Sequence, residues 1–248
     1  MDAGLYIVGT PIGNLADITL RALDTLKAAD LIVAEDTRQT RKLLERHGIR
    51  TLLVSCHKFN EAARVDLILG RIRAGSAVAL VSDAGMPAVS DPGARVVTAV
   101  RAAGVPVIVI PGPSAVTSAV ALSGFGGAGF LFDGFLPHKS GARRRRLSEL
   151  ARCPQPVVLF ESPYRLLKLL AELAELMPAR QVYVGRELTK HFEESLVGTP
   201  GEIAARFKDR AVKGELVVVL APADRHERAE PDPAADKTTG TPDRSAAR

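Results

Sequence analysis

Three short stretches of this chain carry residue types that a bound ligand needs. Residues 82–93 read SDAGMPAVSDPG, residues 9–14 read GTPIGN, and residues 111–115 read PGPSA. Each follows an apolar run and is dense in residues that allow tight turns and bring backbone close to a ligand. In a parallel α/β sheet such loops stand at the carboxyl ends of strands, beside the crevice where ligands bind. One of them alone would equally be an ordinary βα turn; three on one sheet edge can line one cleft. The first stands where a dinucleotide enzyme keeps GxGxxG. Gly9 and Gly13 have the wrong spacing for it and Pro11 lacks an amide donor, so neither a Rossmann nor a P-loop fingerprint is present.

Ionisable residues flank these loops. Glu35 and Asp36 end the second apolar run, where a carboxylate can act as a base or cap the helix that follows. Glu161, Arg186, Glu187 and Lys190 come from the second half and can face the same cleft, although Arg186 and Glu187 can also form an interdomain ion pair. Lys139, Arg143, Arg144, Arg145 and Arg146 make a cationic cluster at the start of a helical pattern. Four consecutive arginines repel one another and oppose the positive helix N-terminus. That favours phosphate contact over a plain solvated face. The net charge of +5 is compatible with a polyanionic partner without requiring one. Cys56 and Cys153 lie far apart with no CxxC or Cys/His ligand spacing, which suggests two buried apolar residues and neither a disulfide framework nor a metal site.

The elements that must position these groups follow from periodicity. A chain of 248 residues, 46% apolar, can bury a substantial core. Short apolar runs at 5–8, 31–34, 52–55, 77–81 and 105–110 alternate with helical patterns. Leu20, Leu23 and Leu26 line one helix face, residues 40–47 form the next helix, and Val65, Ile68, Leu69 and Ile72 point inward from a helix at 61–73. A fourth helix covers 94–103. This is a parallel α/β domain whose strands are covered on both faces. Pro111-Gly112-Pro113 breaks the pattern and divides domain 1–113 from domain 114–221. The second domain holds helices at 114–122, 142–151 and 164–176, strands at 130–132, 157–160, 181–184 and 215–220, and a turn and helix at 198–207. Its less regular alternation predicts a mixed sheet. Residues 222–248 lack apolar periodicity and are expected to form a disordered tail. No apolar run is long enough to cross a bilayer and the first residues do not read as a secretory signal, so a cytoplasmic protein is expected.

The runs LYIVGTPIGNLADITLRAL, AEDTRQTRKLL, VSDAGMPAVSDPG, PGPSAVTSAVALSG, FDGFLPHKSGARRRRL, ESPYRLLKLL and RELTKHFEE, in that order, resemble the ribosomal RNA small subunit methyltransferase I family of the tetrapyrrole methylase superfamily. The resemblance spans roughly residues 4–221. It implies a two-domain tetrapyrrole-methylase-like fold with the cofactor cleft between the domains, and usually a homodimer. It implies S-adenosyl-L-methionine as methyl donor. The implied acceptor is the ribose 2′-hydroxyl of a decoding-region cytidine in 16S rRNA, presented by the RNA or the small ribosomal subunit. By position, cofactor contacts fall on Gly9, Pro11, Ile12, Gly13, Gly85, Met86, Pro87, Val89, Ser114 and Ala115, with Phe160 and Leu188 from the second domain. The family pattern departs at Met86, where tetrapyrrole enzymes carry Asp, and after Pro222, where many members continue into a small helical module.

Methyl transfer from a sulfonium is an in-line displacement that rests on positioning, and it needs no metal. A ribose hydroxyl also needs a base or a cation near the developing alkoxide. Asp36 and Lys190 are the expected pair flanking the acceptor, Glu35 is a further candidate base, and Lys139 with Arg143, Arg144, Arg145 and Arg146 is expected to hold the RNA backbone. A tetrapyrrole methyltransferase and a non-catalytic rRNA-binding assembly factor are the competing readings. The former needs a broad apolar trough, for which 4% aromatic residues offer little material.

Overall fold

A computed structural model of the chain describes residues 1–127 and 129–224. The first domain is a five-stranded parallel sheet of β1 (Gly4–Val8), β2 (Leu31–Ala34), β3 (Leu53–Ser55), β4 (Ala77–Val81) and β5 (Val107–Ile110), ordered β3-β2-β4-β1-β5. Helices α1 (Leu20–Ala28) and α2 (Thr37–Arg46) cover one face, and α3 (Glu61–Arg73) and α4 (Ala94–Ala102) the other. The alternation of strand side chains divides the core accordingly. Ala79 and Val81 pack with Leu26, Ile32 and Leu44, whereas Val78 and Leu80 pack with Val33, Ile68 and Val100. That is why β2 and β4 are apolar at every position.

The second domain is a mixed sheet of β6 (Leu131–Phe135), β7 (Val157–Glu161), β8 (Val182–Arg186), β9 (Glu194–Gly198) and β10 (Leu216–Leu220), ordered β6-β7-β10-β8-β9. The β6–β7 pair is parallel and the others are antiparallel. Helix α5 (Ala115–Ser123) leaves the Pro-Gly-Pro segment and packs on this second sheet, placing Val116 and Ala119 against Val158, Tyr183 and Val217. Helices α6 (Ser140–Leu150), α7 (Leu166–Leu176) and α8 (Pro200–Arg206) cover the other face through Leu147, Leu170, Ile203 and Phe207.

Two details differ from the sequence reading. Strand β9 is an edge strand whose sequence, ESLVG, has no continuous apolar signal, because one face is exposed. Residues 222 and 223 are not part of a free tail: Ala223 is buried and its N–H donates to Cys153 O at 2.9 Å. The rest of the expected tail, from residue 225, lies outside the described residues. Among the described residues no helix is long and apolar enough to cross a membrane.

Candidate active site

Strands β4, β1 and β5 lie side by side, so the three loops that follow them meet at one edge. Their backbones interlock. Thr10 and Gly85 exchange both amide hydrogen bonds, at 2.9 and 3.1 Å, and Gly9 N–H donates to Ile110 O at 3.0 Å. Gly9 faces Gly112 so closely that a β-carbon on it would stand 2.8 Å from Gly112 Cα and 2.7 Å from Met86 Sδ. The far end of the 82–93 loop is held by α3, where the buried Glu61 carboxylate accepts from Gly93 N–H at 2.9 Å and Arg95 N–H at 3.0 Å.

Against this edge the second domain closes a cleft of about 450 Å³. Ile12, Gly85, Met86, Val89, Ser114 and Ala115 line it from the first domain and α5, and Phe160, Gly185, Leu188 and Val217 line it from the second sheet. Eight of the twelve positions expected to touch cofactor are thus on the wall: Ile12, Gly85, Met86, Val89, Ser114, Ala115, Phe160 and Leu188. Gly9, Pro11, Gly13 and Pro87 are not on it: Gly9 serves loop-to-loop packing, and Gly13 lines a neighbouring hollow. The wall is mainly apolar, with polar groups at Ser90, Asp91, Glu161, Ser162 and Glu215. The first amides of α5 have no intrahelical acceptor and Ser114 does not cap them with its side chain, so the helix presents free donors where Ser114, Ala115 and Val116 line the cleft. The non-glycine residues at positive φ among the described residues are Ala88 and Ser90 in the 82–93 loop and Glu187 and Thr189 in the loop after β8. Such conformations cost about 1–3 kcal/mol each and gather where a site dictates the backbone.

The carboxylates beside the cleft separate into two roles. Asp36 caps α2, its Oδ1 accepting from Arg38 N–H at 2.8 Å, and its carboxylate pairs with the Arg38 guanidinium at 2.6 Å. Hydrogen bonds from Arg38 pull its pKa down to about 2. Glu35 is half-buried at the end of β2, and burial, followed by the charges of Asp91 and Asp83, pushes its pKa up to about 7. Lys190 is held by Glu187 and Glu215, at 2.9 Å each, and packs over Gly13. Among the described residues no hydrogen bond or ion pair joins Asp36 to Lys190. A carboxylate that caps a helix and is ion-paired to arginine is a weak base, so of the two adjacent carboxylates Glu35 is the stronger candidate for proton transfer. Arg186 and Glu187 do not bridge the domains either. Arg186 pairs with Glu194 across β8 and β9 at 3.0 Å, and Glu187 with Lys190.

The arginine run is also redistributed. Successive helical residues turn through about 100°, so four in a row cannot share one face. Arg143 points inward with Leu147 and Leu150, 3% exposed, and binds Glu172 through two bonds of 2.6 and 2.7 Å. It is withdrawn from the RNA-facing set. Arg146 is clamped by Asp133 and Glu149, and Arg144 pairs with Glu175 at 2.6 Å. Lys139 and Arg145 are exposed. Sequence reading missed Glu61, Glu172, Gly185 and Gly214. The two carboxylates carry no local signal, since each partner is about thirty residues away. The glycines did carry one, a Gly inside a strand and a Gly just before one: Gly214 has φ +89°, and a β-carbon there would strike Glu187 at 2.5 Å.

The profile of the tetrapyrrole (corrin/porphyrin) methylases matches residues 4–204. A ribosomal RNA small subunit methyltransferase I from Neisseria meningitidis serogroup A is 49% identical over 227 residues, covering 90% of this chain and 78% of that protein. One of the same name from Thermotoga maritima is 48% identical, covering 88% of this chain and 97% of that protein. Among solved structures, the uroporphyrin-III C-methyltransferase of Thermus thermophilus complexed with S-adenosylhomocysteine superposes with a TM-score of 0.61 at 23% identity, covering 87% of this chain and 96% of that one. A cobalt precorrin-4 methyltransferase gives 0.64 at 20%, with 87% and 93% covered. At those identities the structural likeness establishes the fold. Profile, sequence relatives and fold together place this chain in the tetrapyrrole methylase family, within its ribosomal RNA small subunit methyltransferase I branch.

Proposed function

We propose that this chain methylates the ribose 2′-hydroxyl of a decoding-region cytidine in 16S rRNA, using S-adenosylmethionine, and that it works as a homodimer in the cytoplasm. The observation that carries the reading is the cleft closed by both domains, with an apolar wall and the uncapped α5 N-terminus at one side. Relatives named for ribosomal RNA methylation at 49 and 48% identity support the substrate class.

The cleft fits the cofactor. Ile12, Met86, Val89, Leu188 and Phe160 offer apolar surface to an adenine and a thioether, and the free amides of α5 offer donors to a polar end. A cleft of about 450 Å³ lies within the ordinary range for small-molecule sites, about 300–1,000 Å³. When bound there, S-adenosylmethionine supplies an electrophilic methyl group. The protein's part is to hold the acceptor hydroxyl in line and exclude water. Glu35, half-buried beside Asp83 and Asp91 of the 82–93 loop, of which Asp91 lines the cleft, is the residue we assign to take the hydroxyl proton, and its raised pKa suits a base near neutral pH. Lys190, its charge offset by Glu187 and Glu215, stands at the domain seam as an N–H donor.

The test is mass spectrometry of 16S rRNA from cells with and without this chain, followed by reconstitution with purified protein, small ribosomal subunits and uroporphyrinogen as parallel acceptors. Loss of one ribose-methylated cytidine, restored in vitro on the RNA substrate, is expected. Methylation of uroporphyrinogen alone would move the protein to the tetrapyrrole branch.

A further inference from the structure

Next to the cleft, across the contact between Gly13 and Lys190, lies an open hollow of about 770 Å³. Its wall carries Asn14, Arg46, His47, Thr189, Lys190 and His191, and it includes no carboxylate. Both domains build it. Arg46 ends α2 and His47 follows as its cap, Asn14 caps the short turn Leu15–Asp17, and residues 189–191 follow β8. Consecutive residues divide between the two cavities, with Ile12 and Leu188 facing the cleft and Gly13 and Thr189 facing the hollow. The same two loops therefore line both cavities.

Two residues of the wall are held at a cost. His47 Nε2 and Thr189 Oγ1 lie beneath the surface, shielded from solvent, with no hydrogen-bond partner among the described residues. Each such buried atom costs about 1–3 kcal/mol. Thr189 also holds φ at +67°, an unfavourable backbone for a β-branched residue. The nearby carboxylates are already engaged: Glu187 and Glu215 hold Lys190, and Glu193 accepts from Thr189 N–H at 2.7 Å. Arg46 makes no ion pair among the described residues, so its charge is available in the hollow.

We propose that this hollow is a phosphate subsite, holding a backbone phosphodiester of the RNA strand beside the acceptor nucleotide, with Arg46 as its principal cation. The inference rests on the rRNA reading above. It moves the main RNA contact from the arginine run of α6, most of which is ion-paired, to the domain seam where the chemistry takes place.

The test uses the full chain with Arg46→Ala, and Arg101→Ala as a control that removes the same charge from α4, on the opposite face of the first sheet. Binding to deproteinised 16S rRNA and to small ribosomal subunits is measured across a salt series, and S-adenosylmethionine binding is measured by calorimetry. Arg46→Ala is expected to weaken RNA binding roughly 3–10-fold at low salt and to reduce the slope of log K against log salt by about 0.7–0.9, the loss of one phosphate contact. Cofactor affinity should hold, and Arg101→Ala should match the wild type. A wild-type slope in Arg46→Ala overturns the subsite alone. Weakened cofactor binding with intact RNA binding would also overturn it, assigning the hollow to the cofactor's carboxylate. Failure of the wild-type chain to bind either RNA form overturns the rRNA reading and the subsite with it.

Discussion

Glu35 and Asp36 are adjacent in sequence and opposite in proton affinity. The difference lies in what each carboxylate meets: Asp36 receives an amide and a guanidinium from its own helix, while Glu35 is half-buried among Asp83 and Asp91. Glu35→Gln removes the proposed base and leaves the shape, so we expect kcat to fall by about 10²–10⁴ with cofactor affinity unchanged. The wild-type rate should rise with pH through about 7, and the variant should lack that limb in single-turnover assays. Stability has the opposite sign. The folded state holds the proton up to about 7 against an ordinary 4.5, so ionisation costs stability as pH rises through that window. Glu35→Gln should therefore be more stable than wild type above pH 7, by about 1 kcal/mol after solvent screening, and equal to it below pH 4.5 in urea titrations. Arg143 gives a contrasting prediction. Arg143→Ala leaves Glu172 buried without its partner and should cost about 3–5 kcal/mol, whereas exposed Arg145→Ala should stay within about 0.5 kcal/mol in the same assay.

At the scale of elements, the 82–93 loop is pinned at both ends by groups outside it. Thr10 ties its start through Gly85, and Glu61 ties its end through Gly93 and Arg95. Both bonds to Glu61 fall on Oε1. A glutamine placing its carbonyl there keeps an acceptor, so Glu61→Gln should bind cofactor nearly as well as wild type. Glu61→Ala leaves both amides unpaired, which should cost about 1–3 kcal/mol and raise the KM for cofactor more than it lowers kcat. Gly9→Ala attacks the same assembly from the other side by forcing the first and third loops apart. This loop also shows what was legible in sequence. Its turn-forming residues and its place after an apolar strand identified it, and the neighbouring strands β4, β1 and β5 made the cleft. What was not legible depended on long-range partners. The α6 arginines read as one cationic patch because their acids, Asp133, Glu172 and Glu175, are on other elements. Strand β9 escaped because an edge strand with an exposed face has no apolar run to recognise.

The whole molecule has separate cores, two flanking the first sheet and two flanking the second. Between the domains the cleft is lined from both sides, with Met86 and Val89 on one and Gly185, Leu188 and Val217 on the other. A ligand seated there must stabilise both domains at once. S-adenosylhomocysteine at about 100 times its Kd should add about 2.7 kcal/mol to unfolding. Its distribution is the sharper observation. Hydrogen exchange should slow in the 82–93 loop and the first turn of α5, and also in β8 and β10, whose Gly185 and Leu216–Val217 form the far wall. Protection confined to the first domain would mean that the ligand touches the three loops without closing the cleft, and the role given to the second domain as the far wall would fall. Protection on both sides would mean that cofactor binding fixes the domain seam, and with it the hollow at Arg46 and Lys190. The cofactor would then prepare the surface that receives RNA, and RNA affinity should rise when S-adenosylhomocysteine is present. Since binding couplings are reciprocal, RNA should tighten S-adenosylhomocysteine by the same factor, a comparison that calorimetry in both orders of addition can make.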